Sequence, residues 1–295
     1  MPEFGIRSTY SQCPFEILMY DHGGLISSGT AFFYEHNQKT FLITNWHNLS
    51  GRHFLTKEPL GNRTPEYIEA KLSTYVTPDG NFTSIAKRID IYYDNYNPLW
   101  YEHSTGGSNY DVVAIPFDKD ESIPSFMHNS ANKINNIRVP IIPGNTVFII
   151  GYPHGLSIGF GLPIWKSGYI ASEPYYDITI AGKTSEVGGN QNEITIPAFF
   201  IDSLTRAGLS GSPVFVSYKG TWSMKDPYEK LDPDDKHFWE RSDIALNESA
   251  IEFCGIYSGR INDKEDGAAL GLCWKKQIIE EICYHKKNAD CPHIR

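Results

Sequence analysis

The sequence predicts an all-β protein, and three observations carry that prediction. Short apolar runs rich in Ile, Val, Phe, Tyr and Thr recur along the 295 residues. Gly, Asn, Asp or Pro bounds most of them, and no long 3.6-residue period appears before the C-terminal end. Many short strands at this spacing make a sandwich or a barrel, not alternating strand and helix.

The runs are FEILMY (15–20), TAFFY (30–34), TFLIT (40–44), IDIYY (89–93), DVVAIPF (111–117), TVFIIGY (146–152), ITIPAFFI (194–201), SPVFVSY (212–218) and IEFCGIY (251–257). Between the third and fifth lies an aromatic, Asn-rich stretch, 92–110, read as a long loop. Residues 119–145 carry little apolar content and serve as a linker, dividing the chain into halves 1–125 and 126–295. Residues 219–249 are dense in Asp, Lys, Pro and Trp and read as a solvated surface insertion. WKKQIIEEICYHKK (274–287) is the one convincing helix, with Trp274, Ile278 and Ile282 on one face.

Composition excludes several classes. Aromatics at 14% indicate a packed globular chain. A formal charge of −9 gives nucleic-acid phosphates no counterpart, so no nucleic acid is expected as partner. The five cysteines form no C-x-x-C pair, no Cys/His spacing suits zinc, and H-E-x-x-H is absent. Neither metal nor cofactor is expected, and the thiols fit a reduced compartment. The N-terminus lacks a basic start followed by an apolar run, and no stretch approaches a membrane span. These features predict a cytoplasmic protein with no membrane partner.

The chemistry concentrates in TRAGLSGSPVF (205–215), where two glycines and two serines precede a strand. A loop that only reverses direction needs fewer glycines. Ser210 needs a base to become nucleophilic and donors to hold an oxyanion. A tight turn at Gly208 aims the N–H groups of Gly208 and Ser210 at one point, and glycine permits that turn because it has no Cβ. The G-x-S-x-G elbow is excluded, because Ser212 stands where its second glycine belongs. The base is His47, at the end of the TFLIT strand, with His154 in VFIIGYPHG as its rival. The carboxylate is Asp111 in NYDVVAIPF, with Asp90 in RIDIYY as the alternative; a buried aspartate needs a partner such as an imidazole. His22, His36, His128, His237, His285 and His293 read as satisfied or surface groups. Asn48-Leu49-Ser50 is formally a glycosylation sequon, and a glycan there would block the cleft.

Together these segments resemble the trypsin-like (chymotrypsin-fold) serine proteases. The likeness is to bacterial, disulfide-free members of the glutamyl-endopeptidase and high-temperature-requirement types. SSGTAFFY and FLITNWHN resemble the first strands and the histidine turn, YDVVAI the aspartate strand, and AGLSGSPVF the serine loop. IIGYPHG, IEFCGIYSGR and GAALGLCWKKQIIEEI follow in family order, so the likeness runs from about residue 26 to 287. It implies two antiparallel β-barrels with a C-terminal helix, His47 and Asp111 coming from the first barrel and Ser210 from the second. It also implies that Ser258 supports the aspartate, and that Leu204, Thr205, Tyr257, Ser258, Gly259 and Arg260 surround the substrate pocket.

Two positions depart from the pattern. Leu209 replaces the aspartate that pairs with a newly cut N-terminus in trypsin, so activation by such an amine is not expected; loop ordering or a regulatory protein partner would replace it. Leu204 stands where trypsin's pocket aspartate belongs, which disfavours cleavage after Lys or Arg. Arg260 at the pocket mouth would favour an acidic residue, and a medium-sized apolar residue is also expected to fit. The expected function is an endopeptidase acting on protein or peptide substrates. The alternatives are a protease-fold binding or scaffold module without turnover, and an esterase using the same triad.

Overall fold

The chain is described by a computed structural model over residues 8–75, 82–94, 97–118, 128–159, 161–181, 193–260 and 270–290. Its strands in the first half are β1 (Pro14–Asp21), β2 (Gly24–His36), β3 (Lys39–Thr44), β4 (Tyr67–Tyr75), β5 (Phe82–Asp90), β6 (Tyr92–Tyr93), β7 (Asn97–Pro98), β8 (Tyr101–Glu102) and β9 (Val113–Phe117). A short helix, α1 (Trp46–Ser50), follows β3. The second half holds β10 (Thr146–Gly151), β11 (Ile164–Ile170), β12 (Ile178–Ala181), β13 (Glu193–Ile196), β14 (Ala198–Asp202), β15 (Pro213–Ser223), β16 (Ile244–Arg260) and β17 (Leu270–Lys275). Helix α2 (Lys276–His285) and the two-residue β18 (Lys287–Asn288) close the described chain.

The all-β expectation holds, with two β units of chymotrypsin-like type and a C-terminal helix. Strands β10-β11-β14-β17-β16-β15 form a closed barrel, and the first unit is an eight-stranded sheet ordered β18-β8-β9-β3-β2-β1-β4-β5. Alternation explains β1, which sends Phe15, Ile17 and Met19 into the core while Tyr20 and Asp21 stay half-exposed. Burial of all of Phe41, Leu42 and Ile43 shows that β3 is covered on both faces. The two units share apolar packing at their contact. Phe32 of β2 meets Phe253 of β16 edge-on at 5.6 Å, and Phe253 meets Phe215 of β15 at 5.7 Å.

The described part of the linker is held by asparagines together with the buried Ala131 and Val139. Asn132 donates to Glu35 O at 2.8 Å, and Asn135 donates to Ile251 O at 2.7 Å, tying the segment to one strand of each unit. The boundary expected near 125 lies outside the described residues.

The helix begins two residues later than its periodicity predicts. Trp274 pairs with Ala198 in the barrel, and Lys275 keeps extended backbone (φ −64°, ψ 143°), so the strand's ladder claims both. Lys286, in left-handed geometry, ends the helix. Ile278, Ile279, Ile282 and Cys283 of α2 are buried in a core cluster that both units share, and β18 then pairs with β8. Burial pushes the Cys283 thiol up to about 12. The C-terminal tail thus straps the second half onto the first.

The expected insertion at 219–249 is regular at both ends. The β15–β16 ladder runs through Lys219↔Ser249 and Gly220↔Glu248 to Ser223↔Ile244, leaving only 224–243 irregular. An ion-paired cluster holds that part, with Arg241 bridging Glu229 and Asp243. The start of β15 adjoins the serine loop, so the far end of this hairpin lies roughly 30 Å from Ser210 at about 3.3 Å per residue.

One buried group predicts a pH effect. Burial pushes the His128 imidazole from 6.5 down to about 4, while its Nε2 accepts the Ser73 N–H at 2.9 Å. Between pH 6.5 and 4 the unfolded chain takes up a proton that the folded chain refuses. Stability therefore falls as pH drops through that window and levels off below it, by about 3 kcal/mol in all. Urea titrations at pH 7 and pH 4.5 are expected to show a smaller difference for His128→Asn than for the parent. Equal differences would contradict this account.

Candidate active site

Asp111 precedes β9 and is fully buried, a setting that an unpartnered carboxylate does not tolerate. Its partners come from both units. Oδ1 accepts the His47 N–H at 2.8 Å, and Oδ2 lies 2.7 Å from His47 Nδ1. Ser258 Oγ, from β16, donates to the same Oδ2. Asn45 Nδ2 donates to the Asp111 carbonyl at 2.7 Å, fixing the backbone as well. A carboxylate can only accept, so Nδ1 carries the proton and Nε2 is left with a lone pair. The imidazole thus keeps its basic nitrogen on the side away from Asp111.

Position 47 is set by α1. Neighbouring Trp46 is buried, its Nε1–H donates to Glu102 Oε1 at 2.8 Å, and the Lys57 ammonium lies 4.7 Å from the Trp46 ring centroid. His53 stands near the same group; burial depresses its pKa, and its Nδ1 accepts the N–H groups of Leu55 and Thr56.

From the other unit, the Ser210 backbone bonds to Thr30 and to Asn48, the neighbour of His47. The Ser210 carbonyl accepts the Thr30 N–H at 2.9 Å and the Asn48 side-chain amide at 3.3 Å. Asn48 also donates to Thr44 Oγ1 at 2.9 Å, so its amide is committed internally, and a glycan at this sequon has no room. Among the described residues no hydrogen bond joins Ser210 Oγ to His47. Such contacts are commonly long before substrate binds.

The loop's peptide planes are set by its carbonyls. Ala207 O accepts the His154 N–H at 2.7 Å, and Leu209 O accepts the Ser212 N–H at 3.0 Å. In a trans peptide the next N–H points the opposite way, so these two bonds turn the Gly208 and Ser210 N–H groups away from the loop interior. Among the described residues neither N–H donates to any acceptor. Gly208 has φ +90°, and a Cβ there would press on Tyr152 O and come within 2.8 Å of His154 N. Only glycine fits such a position.

The rivals fall away. His154 is exposed with left-handed backbone (φ 53°), and it serves the loop through its main-chain N–H. Asp90 is exposed and pairs with Arg88. The pocket residues are only partly brought together. Thr205 and Tyr257 are buried and hydrogen-bond to each other through their hydroxyls. Arg260 Nη2 donates to Thr205 O at 2.5 Å, beside Gly259 at φ 118°. Leu204, expected in the pocket, is 65% exposed where the chain leaves β14.

Sequence reasoning missed Thr30, which contacts the serine loop through both its N–H and its hydroxyl. Its one signal was a polar residue opening an otherwise apolar run. No set of three or more His, Cys, Asp or Glu among the described residues is arranged to hold a metal ion. No helix among them is long and apolar enough to cross a membrane.

No protein-family model matches the chain, and no curated protein matches it in sequence. Solved structures similar to it include two proteases. The active form of the Rv3671c protease from M. tuberculosis has TM-score 0.46 and 15% identity, with 96% of this chain and 84% of that one covered. The serine endoprotease from Yersinia pestis has TM-score 0.44 and 12% identity, with 95% and 67% covered.

Proposed function

We propose that the chain is a serine endopeptidase that cleaves proteins or peptides through an acyl-enzyme, with Ser210 as nucleophile, His47 as base and Asp111 as its orienting carboxylate. The observation that carries this reading is the pairing of a directed imidazole with two vacant N–H donors on the serine's own loop. His47 Nε2 takes the Ser210 proton as Oγ attacks the scissile carbonyl. The charge that develops on the carbonyl oxygen is met by the Gly208 and Ser210 N–H groups. The imidazolium, stabilised by Asp111, then protonates the leaving amine, and water releases the acyl group by the same steps. Ser258 holds the carboxylate at the angle that keeps Nδ1 protonated. In this reading the first unit supplies the acid–base pair and the second the nucleophile.

The pocket reading follows from charge. Arg206 and Arg260 both donate to Thr205 O, and in this reading their charges flank the residue preceding the scissile bond. Substrates with Lys or Arg at that position are expected to be cut at least ~10-fold more slowly than those with neutral or acidic residues, a difference of about 1.4 kcal/mol. The absent Oγ–His47 bond favours a second reading, a binding module without turnover. Digestion of a proteome-derived peptide library separates the two. New termini that Ser210→Ala fails to produce support the protease; no new termini from the parent chain support the module.

A further inference from the structure

We propose that Thr30 is a positioning residue for the oxyanion donors, a strut through which the first unit holds the serine loop of the second. This rests on the reading of Ser210 as nucleophile. Thr30 lies in β2, is fully buried, and touches the loop at two of its peptide planes. Its Oγ1–H donates to Gly208 O at 2.8 Å, and its N–H donates to Ser210 O at 2.9 Å. These bonds fix the planes on either side of the Leu209–Ser210 peptide, and with them the direction of the Ser210 N–H. The preceding Ala207–Gly208 plane, which carries the Gly208 N–H, is held by the His154 N–H on Ala207 O.

The hydroxyl is itself held in orientation. Tyr152 N–H donates to Thr30 Oγ1 at 3.2 Å, so the oxygen accepts from one second-unit strand end while donating to the serine loop. Thr44 Oγ1 donates to Thr30 O at 2.9 Å and in turn accepts the amide of Asn48, the neighbour of His47. A continuous chain of hydrogen bonds therefore runs from the turn that carries the base to the turn that carries the donors. A Cβ at Gly211 would collide with Thr30 O, which shows how closely the two backbones meet. Valine at position 30 keeps the shape, deletes the hydroxyl, and leaves both Gly208 O and Tyr152 N–H without this partner. Free rotation of the Gly208 plane then allows its neighbours to swing out of register with the reacting oxygen.

The test compares Thr30→Val and Thr30→Ser with the parent, on a peptide found by library digestion, with kcat, KM and Tm measured for each. For Thr30→Val, kcat is expected to fall about 100-fold, the scale of a 1 Å misplacement of catalytic groups, with KM within about threefold. The rate of fluorophosphonate labelling of Ser210 should fall in parallel, because it uses the same donors. Thr30→Ser, which keeps the hydroxyl, is expected to recover kcat to within about threefold of the parent. A Thr30→Val protein with parental kcat and a lowered Tm would overturn the proposal and leave Thr30 a packing residue. Should Thr30→Val not fold, Thr30→Ser decides alone: a loss of more than about tenfold in kcat would overturn it. A parent chain that neither labels nor cleaves would refute the protease reading itself, a different outcome from an active parent indifferent to Thr30→Val.

Discussion

Ser210→Ala is expected to lower kcat/KM by about 10⁴- to 10⁶-fold, with His47→Ala close behind and the double variant little worse than either. In the proposed mechanism the hydroxyl and the imidazole act as one device. Without Oγ there is no bond to form, and without Nε2 the hydroxyl keeps its proton at neutral pH. The geometry adds a particular expectation for the third member. Asp111 Oδ2 serves both His47 Nδ1 and Ser258, and Oδ1 serves the His47 main chain. Asp111→Asn places a donor where Nδ1–H must donate, so the imidazole is driven toward the tautomer with the proton on Nε2, which cannot act as base. Its kcat should fall about 10⁴-fold while substrate binding persists. Progress curves on one peptide substrate, with a binding measurement for each variant, check all three. Additive losses in the double variant would show that the two groups do not act together.

Gly208→Ala is expected to be nearly as damaging, for a reason in the backbone. At φ +90° an added Cβ points at Tyr152 O and the His154 nitrogen. Neither can yield, because His154 N–H holds Ala207 O and Tyr152 is buried with its N–H on Thr30. The turn must therefore relax, and the Gly208 N–H leaves the position facing the reacting carbonyl. Loss of one such donor alone costs about 10²- to 10³-fold in kcat. Movement of the Ser210 N–H with it would deepen the loss. The variant should retain KM and lose kcat, with the fold intact by circular dichroism. Parental kcat would mean that these N–H groups do not meet the substrate.

The strands and the site were legible to different depths. Runs such as TFLIT and TVFIIGY announced β3 and β10 because apolar side chains and flanking turn residues are local signals. His47, Asp111 and Ser210 could be singled out because each sits at a strand end where the pattern breaks. The N-terminal half of β16 was not legible. Its stretch Leu246–Ser249 projects on an outlying hairpin with both faces in solvent, so no alternation marks it. The start of α2 was misjudged because Trp274 suits a helical stripe and a barrel strand equally, and only the ladder with Ala198 decides. Thr30 escaped notice because its partner, Gly208, is 178 residues away in sequence.

The account rests most directly on where a serine-reactive fluorophosphonate attaches to the native chain, read by intact mass and peptide mapping. One adduct is predicted, on Ser210. It should be absent from Ser210→Ala, lost in His47→Ala, and kept in His154→Asn, whose main-chain N–H and left-handed backbone survive the change. No adduct on the parent chain, an adduct on another serine such as Ser258, or labelling that persists without His47 would contradict it.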